Sequence, residues 1–434
     1  MLARAVARAP RPFRMPALPS DASVAIGLGP DMAVAFAMEA ARRGRDEREV
    51  FVDALAALIR EASVPDAGDP AFQALVMKAN EPLVSEHVRL AAQRIVDERA
   101  VRAVVDAFAH PGKLRGHADA GRRESLATLH ALAMAQDWIA LAASLDGLPP
   151  LATLASRDAL QRLVRAQALR TQPAVQRYIA LCERRGPAAG TAAASEQGRA
   201  SARVGVAAEH ATALAFDAIA AMLAQHGRDT SETNASTWRA VRGLRMPRGF
   251  PGDAAKAKDE WDAALLHGDD VALLAEVKAT PAAATPDFAR LHRGLLRFAQ
   301  ADDALYVFAT QEGEVAVSGE SLRALAPASH ALPAEVIYCC SAPPETRPPV
   351  LAASSKAVLL AEPASIAFAH RLALGDTPSP APLAQVWEDL RTAPRLRSAL
   401  HQYDTARAVR EAMLRPQELA DAVRELSAAR GSPT

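Results

Sequence analysis

Between residues 30 and 185 the apolar positions recur at helical spacing, segment after segment. The clearest stretch runs from Asp46 to Ser63, where Val50, Phe51, Ala54, Leu55, Leu58 and Ile59 fall on one face of a 3.6-residue helix. Glu81 to His110, Arg122 to Asp146 and Asp158 to Arg185 repeat the pattern. Pro111-Gly112, Gly147 and Pro149-Pro150 punctuate the joins, and Pro173 is placed to bend or break the last helix. No fixed repeat period runs through the region, so a solenoid has no support. The expectation is an all-helical domain over 30–185.

The pattern changes after a small, Gly- and Pro-bearing stretch at 186–199, which reads as a linker. A helix over about Ser201–Gln225 is followed by short apolar runs with strand character at Thr237–Leu244, Trp261–Leu266 and Val271–Lys278. A helix is then expected at Thr285–Gln300, with further strands at Leu305–Ala309, Val336–Cys340 and Ala357–Leu360. Helices before, beside and after a small mixed sheet predict an α/β domain over 200–375. Beyond the Pro-rich run Thr377–Pro382 the pattern is again helical, so 376–434 is expected as a helical tail.

Composition alters this picture in three places. The 434 residues carry 50 basic and 50 acidic side chains, so any nucleic-acid signal has to be local. Arg4, Arg8, Arg11 and Arg14 precede the first acid, Asp21, among prolines at 10, 12, 16 and 19; residues 1–29 are expected to be a disordered leader rather than a transit peptide. Cys182, Cys339 and Cys340 have no metal-ligand spacing and point to reduced thiols in a cytoplasmic protein. No apolar run stands out as long enough to span a membrane, and no membrane partner is expected.

The chemistry concentrates between Glu260 and Lys278. Two apolar runs flank Gly268-Asp269-Asp270, which predicts a β-hairpin with a three-residue loop. With His267 paired to Val271, Ala264 faces Leu274 and Asp262 falls opposite Glu276. Alternation then puts Glu276 and Lys278 on the face that Asp262 shares. Opposed carboxylates destabilise a hairpin unless a cation compensates them. A hard ion such as Mg²⁺ or Mn²⁺ suits those oxygens. Lys278 would then sit beside a developing oxyanion.

Asp262, thirteen intervening residues and Glu276-Val277-Lys278 together resemble the signature of the PD-(D/E)XK nuclease superfamily, the restriction-endonuclease-like fold. The resemblance covers about 110 of the 434 residues, roughly 200–310. It implies a metal-dependent nuclease in which Asp262 and Glu276 hold the ion and Lys278 is catalytic. Members often carry a Glu on the helix ahead of the sheet, a place matched by Glu209, implied as a further metal ligand. Trp261 departs from the pattern, standing where the family's proline would be.

Local charge fits a polyanion, and the partner expected is a nucleic acid, DNA rather than RNA. Residues 234–258 hold six basic side chains, among them Arg239, Arg242, Arg245 and Arg248, against Asp253 alone, a net +5. On the helix at 285–300, Arg290 and Arg293 line a face away from Phe288, Leu291, Leu295 and Phe298 and are expected to touch substrate. Two alternatives remain: a catalytically silent nuclease-fold module that binds nucleic acid, and a helical interaction protein that meets a protein partner through its N-terminal domain, with an incidental acidic hairpin. Gly27-Leu-Gly29, His110-Pro-Gly-Lys113 and Ser354-Ser355-Lys356 each lack the residues or setting that a phosphate loop or a Ser/Lys dyad needs.

Overall fold

The computed structural model describes residues 1–115, 119–145, 157–187, 190–229 and 237–431. The chain forms two compact units, and neither is continuous in sequence. One comprises Met1–Ala54, Ala189–Val358 and Trp387–Thr434; the other comprises Leu55–Ala188 and Leu359–Val386. The expected division into leader, helical domain, linker, α/β domain and tail is therefore redrawn. The tail is shared between the units, and the α/β unit begins at the first residue.

The helical unit follows its proline punctuation. Pro70, Pro82, Pro111, Pro173 and Pro363 each occupy the first turn of a helix, where the missing N–H costs nothing. The helix expected over Arg122–Asp146 is two, Ala120–Ala135 and Trp138–Ala143. Gln136 ends the first in the left-handed conformation, and Asp137 caps the second by accepting the Ala140 N–H. Val101, Val105, Leu129, Leu141, Leu160 and Leu163 form a buried core, beside which Arg162 meets the buried Asp97 at 2.6 Å.

The other unit is built on one mixed sheet. Its strands are β1 (Trp238–Arg245), β2 (Glu260–His267), β3 (Asp270–Lys278), β4 (Leu305–Thr310), β5 (Gly313–Ser318), β6 (Val336–Cys340) and β7 (Met413–Leu414), in the order β5-β4-β1-β2-β3-β6-β7. β1, β2 and β3 form an antiparallel meander, and β6 runs parallel to β3. The expected strand at Leu305–Ala309 is present as β4, which pairs with β1 and β5. The expected strand at Ala357–Leu360 is instead the end of a helix, Ala353–Leu360, since a short apolar run alone does not distinguish the two.

Apolar layers cover both faces. On one lie α1 (Leu2–Arg8), α2 (Ala192–Asp229) and α5 (Pro416–Gly431), which bury Leu2, Val6, Phe216, Ile219, Leu419 and Val423 against Leu265, Leu273 and Ile337. On the other lie α3 (Ala284–Phe298) and α4 (Gln402–Glu411), with Phe288, Leu291, Leu295, Phe298 and Val409 against Trp261, Leu274 and Tyr338.

Residues 1–29 are not the expected disordered leader. Leu2, Ala5 and Val6 dock as a helical face, Phe13 is fully buried, and the Arg11 guanidinium binds the carbonyls of Val6, Ala9 and Glu411. Of the four arginines that suggested a solvated tail, Arg11 satisfies backbone acceptors, while Arg4, Arg8 and Arg14 are exposed. The expected linker also shortens, because α2 is helical from Ala192. Within α2, Ala192–His226 is long and apolar enough to cross a membrane by length and composition, contrary to the expectation that no such run exists; 44% of its apolar 18-residue window is buried inside the fold.

A candidate active site at the end of the hairpin

The β2–β3 turn is tighter than its sequence suggests. His267 pairs with Asp270 across a two-residue loop, with Gly268 at φ 63, a value glycine adopts without strain. The residue released from the loop reappears as a bulge at Leu265/Leu266, after which Ala264 faces Leu274 as expected. The paired register reaches Ala263 and Ala275. There Asp262 takes over, its Oδ2 accepting the Val277 N–H at 2.7 Å in place of a strand carbonyl.

Alternation also breaks at Asp262. Trp261 and Ala264, three residues apart, both enter the core on the α3 side. Gly243 stands level with Asp262 on β1, in the left-handed region at φ 62. Asp262 is thus placed where three strands loosen, and it acts on both sides: it raises the pKa of Glu276 and of Glu209, in each case second to burial.

Glu276 is the centre of the site. It is 2% exposed, and its Oε1 accepts from Lys258 Nζ at 2.8 Å and Lys278 Nζ at 2.7 Å. Its Oε2 is buried and accepts from no donor among the described residues, although a protonated Glu276 can donate to the neighbouring Asp287 carboxylate. Burial and the Asp262 charge push its pKa up to about 7 against the pull of both ammonium groups. Lys278 also stands 2.9 Å from Asp287 Oδ2, an ion contact without hydrogen-bond alignment. Burial opposes the charge on both partners. Glu276 and Asp287 nonetheless hold the Lys278 pKa above its usual value, and Lys278 holds Asp287 below its own. Asp287 lies in the first turn of α3, where the helix dipole favours an anion. Tyr338, level with Glu276 on β6, is fully buried and kept protonated, by burial first and by Asp287 and Glu276 next.

Asp287 and Tyr338 are absent from the sequence reading, which placed Lys258 only in the basic stretch 234–258. Lys258 had a signal, as one of only six lysines in an Arg-rich chain. Its loop is pinned to α3: the Lys258 N–H binds the Arg290 carbonyl at 3.0 Å, and a Cβ on Gly294 would stand 2.5 Å from the Lys258 carbonyl oxygen. Asp287 and Tyr338 gave no pattern, because only the β3–α3–β6 crossover brings them to Glu276.

The expected ligand set is rearranged. Glu276 and Lys278 turn toward α3, whereas Glu209 is an exposed residue of α2, the helix on the opposite face. Among the described residues no three His, Cys, Asp or Glu side chains are gathered closely enough to enclose a metal ion, so Glu209, Asp262 and Glu276 are not a preformed three-carboxylate cage.

The expected nucleic-acid-binding arginines are also not one open patch. Arg239 reaches the Gly268 carbonyl at 3.4 Å, at the far end of the sheet. Arg242 pairs with Glu312, and Arg245 pairs with Glu260 at 2.6 Å. Arg293 holds the Lys256 carbonyl at 2.9 Å, and Arg290 stands 4.0 Å from Asp287. Arg248 is exposed. Acids distant in sequence offset the local charge.

Comparison with known protein families, characterised proteins and solved structures finds no match.

Proposed function

We propose that the end of the hairpin is the active site of a metal-dependent nuclease with a restriction-endonuclease-like core, acting on DNA in the cytoplasm. The single observation that carries this reading is the crowding of Glu276, a buried carboxyl whose Oε2 accepts from no donor among the described residues and whose pKa is raised, by burial first and Asp262 next, despite two ammonium contacts. Asp262, Glu276 and Asp287 set three carboxylates against Lys258 and Lys278, with Glu209 reaching only Asp262 from the other face, and a divalent cation would offset that negative excess. The order α2, β1–β2–β3 meander, α3 crossover and parallel β6 also supports the reading.

The residues suit a hard ion. Mg²⁺ is commonly held by one or two carboxylates and keeps several waters, which matches Glu276 Oε2 and Asp262 with Glu209 acting through water. When bound, Mg²⁺ or Mn²⁺ would neutralise the phosphodiester and lower the pKa of a water. Lys278, held between Glu276 and Asp287, presents its charge to the oxyanion that develops at phosphorus. Lys258 keeps the Glu276 carboxylate in place, and Asp287 keeps Lys278 charged and oriented.

One observation favours a second reading, the silent binding module: Lys258 already supplies Glu276 with a second ammonium. Incubation of the purified chain with plasmid, linear DNA and RNA, in Mg²⁺, Mn²⁺ or EDTA, separates the two. Cleavage in Mg²⁺ or Mn²⁺ that EDTA and Asp262→Asn abolish is the expected result. Binding without cleavage under either ion overturns the nuclease in favour of the module.

A further inference from the structure

A second, chemically different site lies at the other end of the sheet. A cavity of about 830 Å³ opens beside the β2–β3 turn, within the size range of small-molecule pockets. Leu273 in its wall is three residues from Glu276 along β3, about 10 Å at 3.3 Å per residue, and Leu273 and Ile337 face α2 and α5 whereas Glu276 faces α3. The cavity is therefore separate from the nuclease site.

The walls are mainly apolar: Leu2, Val6, Leu223, Leu273 and Ile337 contribute, and Trp238 stacks on His267 with ring centroids 4.5 Å apart. The acids Asp404 and Glu411 in the lining are answered by Arg407, at 3.3 and 3.9 Å, and the third acid, Glu335, is exposed to solvent. Arg11 differs. It is half-buried, and each of its three hydrogen bonds goes to a neutral carbonyl; among the described residues no carboxylate lies within ion-pair distance. Burial, and then the charge of Arg14, lower its pKa, the mark of a cation whose surroundings do not compensate it. An apolar chamber with an aromatic platform and one uncompensated guanidinium selects a ligand with an apolar body and an anionic head.

We propose that this cavity binds an amphipathic carboxylate of fatty-acid or aromatic-acid type, with the head at Arg11 and the body against Trp238, Leu223 and Leu273. Binding requires no metal and does not depend on the nuclease reading.

The test is calorimetric titration of the full chain with decanoate, decanol and decyltrimethylammonium, with displacement of anilinonaphthalene sulfonate as a second readout. Saturable binding of decanoate, at least about tenfold tighter than decanol, is expected, the size of one charge-assisted contact. Arg11→Met should remove that preference and Arg11→Lys should keep most of it. Because Arg11 also ties down backbone, Ala408→Trp provides an independent check by filling the cavity from the α4 side: it should abolish binding of all three probes while circular dichroism stays unchanged. Equal affinity for decanoate and decanol, tighter binding of the ammonium amphiphile, undiminished binding in Ala408→Trp, or no saturable binding would each overturn the proposal.

Discussion

At one end of the β2–β3 hairpin, Glu276, Lys258, Lys278 and Asp287 share a space from which water is largely excluded; at the other, Trp238 lies on His267 above an apolar cavity. The same two strands serve both ends, and the difference arises from what packs over them. At the Glu276 end, loop 247–259 and the first turn of α3 deliver charged groups onto the α3 face. At the turn end, residues 1–11 and 329–335 deliver mainly apolar groups, with Arg11 as the guanidinium that no carboxylate among the described residues answers. Buried charges hold one another in place at a cost in desolvation, so the first end is rigid and sensitive to single substitutions. Apolar walls tolerate substitution better, so the second is expected to be forgiving except at Arg11.

The sharpest way to break this contrast is to remove Glu276. Glu276→Ala leaves the ammonium of Lys258, a side chain only 12% exposed, without its acceptor. It should cost about 3 kcal/mol in urea unfolding and all cleavage activity. A loss below about 1 kcal/mol would mean that water already reaches the cluster and that the two ends do not differ in the way described.

A smaller effect, readable without any substrate, is the pH dependence of stability. The Glu276 pKa is 4.5 in an unfolded chain and about 7 in the fold, so the folded state favours the protonated form. Stability is therefore lost as pH rises from about 4.5 to 7, by up to about 3 kcal/mol, and levels off above. Glu276→Gln should flatten that slope. Mg²⁺ should restore wild-type Tm more at pH 8 than at pH 5.5, and Asp262→Asn should remove the difference. Parallel pH profiles for wild type and Glu276→Gln would place the titrating group elsewhere.

The smallest effect belongs to the exposed arginines. Arg242 and Arg245 already pair with Glu312 and Glu260. Replacing either with Ala should change stability by less than about 1 kcal/mol. If phosphates displace those acids on binding, each replacement should reduce the salt slope of DNA affinity by about one. An unchanged slope would confine nucleic-acid contact to the strand-end site.

Much of the strand-end site was legible because a strand is a local object. Alternation put Glu276 and Lys278 on one side, and the match of Ala264 with Leu274 survived an error in the turn, because the bulge returned the residue that the loop gave up. The partners of Glu276 were not legible. Tyr338 reaches it across a crossover of some sixty residues, Asp287 from the helix at the start of that crossover, and Lys258 through a loop whose path depends on Gly294. The arginine patch misled for the same reason, since Glu312 lies seventy residues from Arg242.

The N-terminal segment marks the boundary between the two kinds of information. Sequence alone determined the helical periodicity of Asp46–Ser63, the strands that carry Asp262 and Glu276, and the breaks at Pro173 and Gly268, because each depends on backbone preferences within a few residues. Whether Leu2, Val6 and Phe13 would be buried, whether Arg11 would meet carbonyls or water, and which charges would share the space around Glu276 were decided by tertiary packing. Desolvation and pairing energies depend on neighbours in space, and the order of residues along the chain does not specify those neighbours.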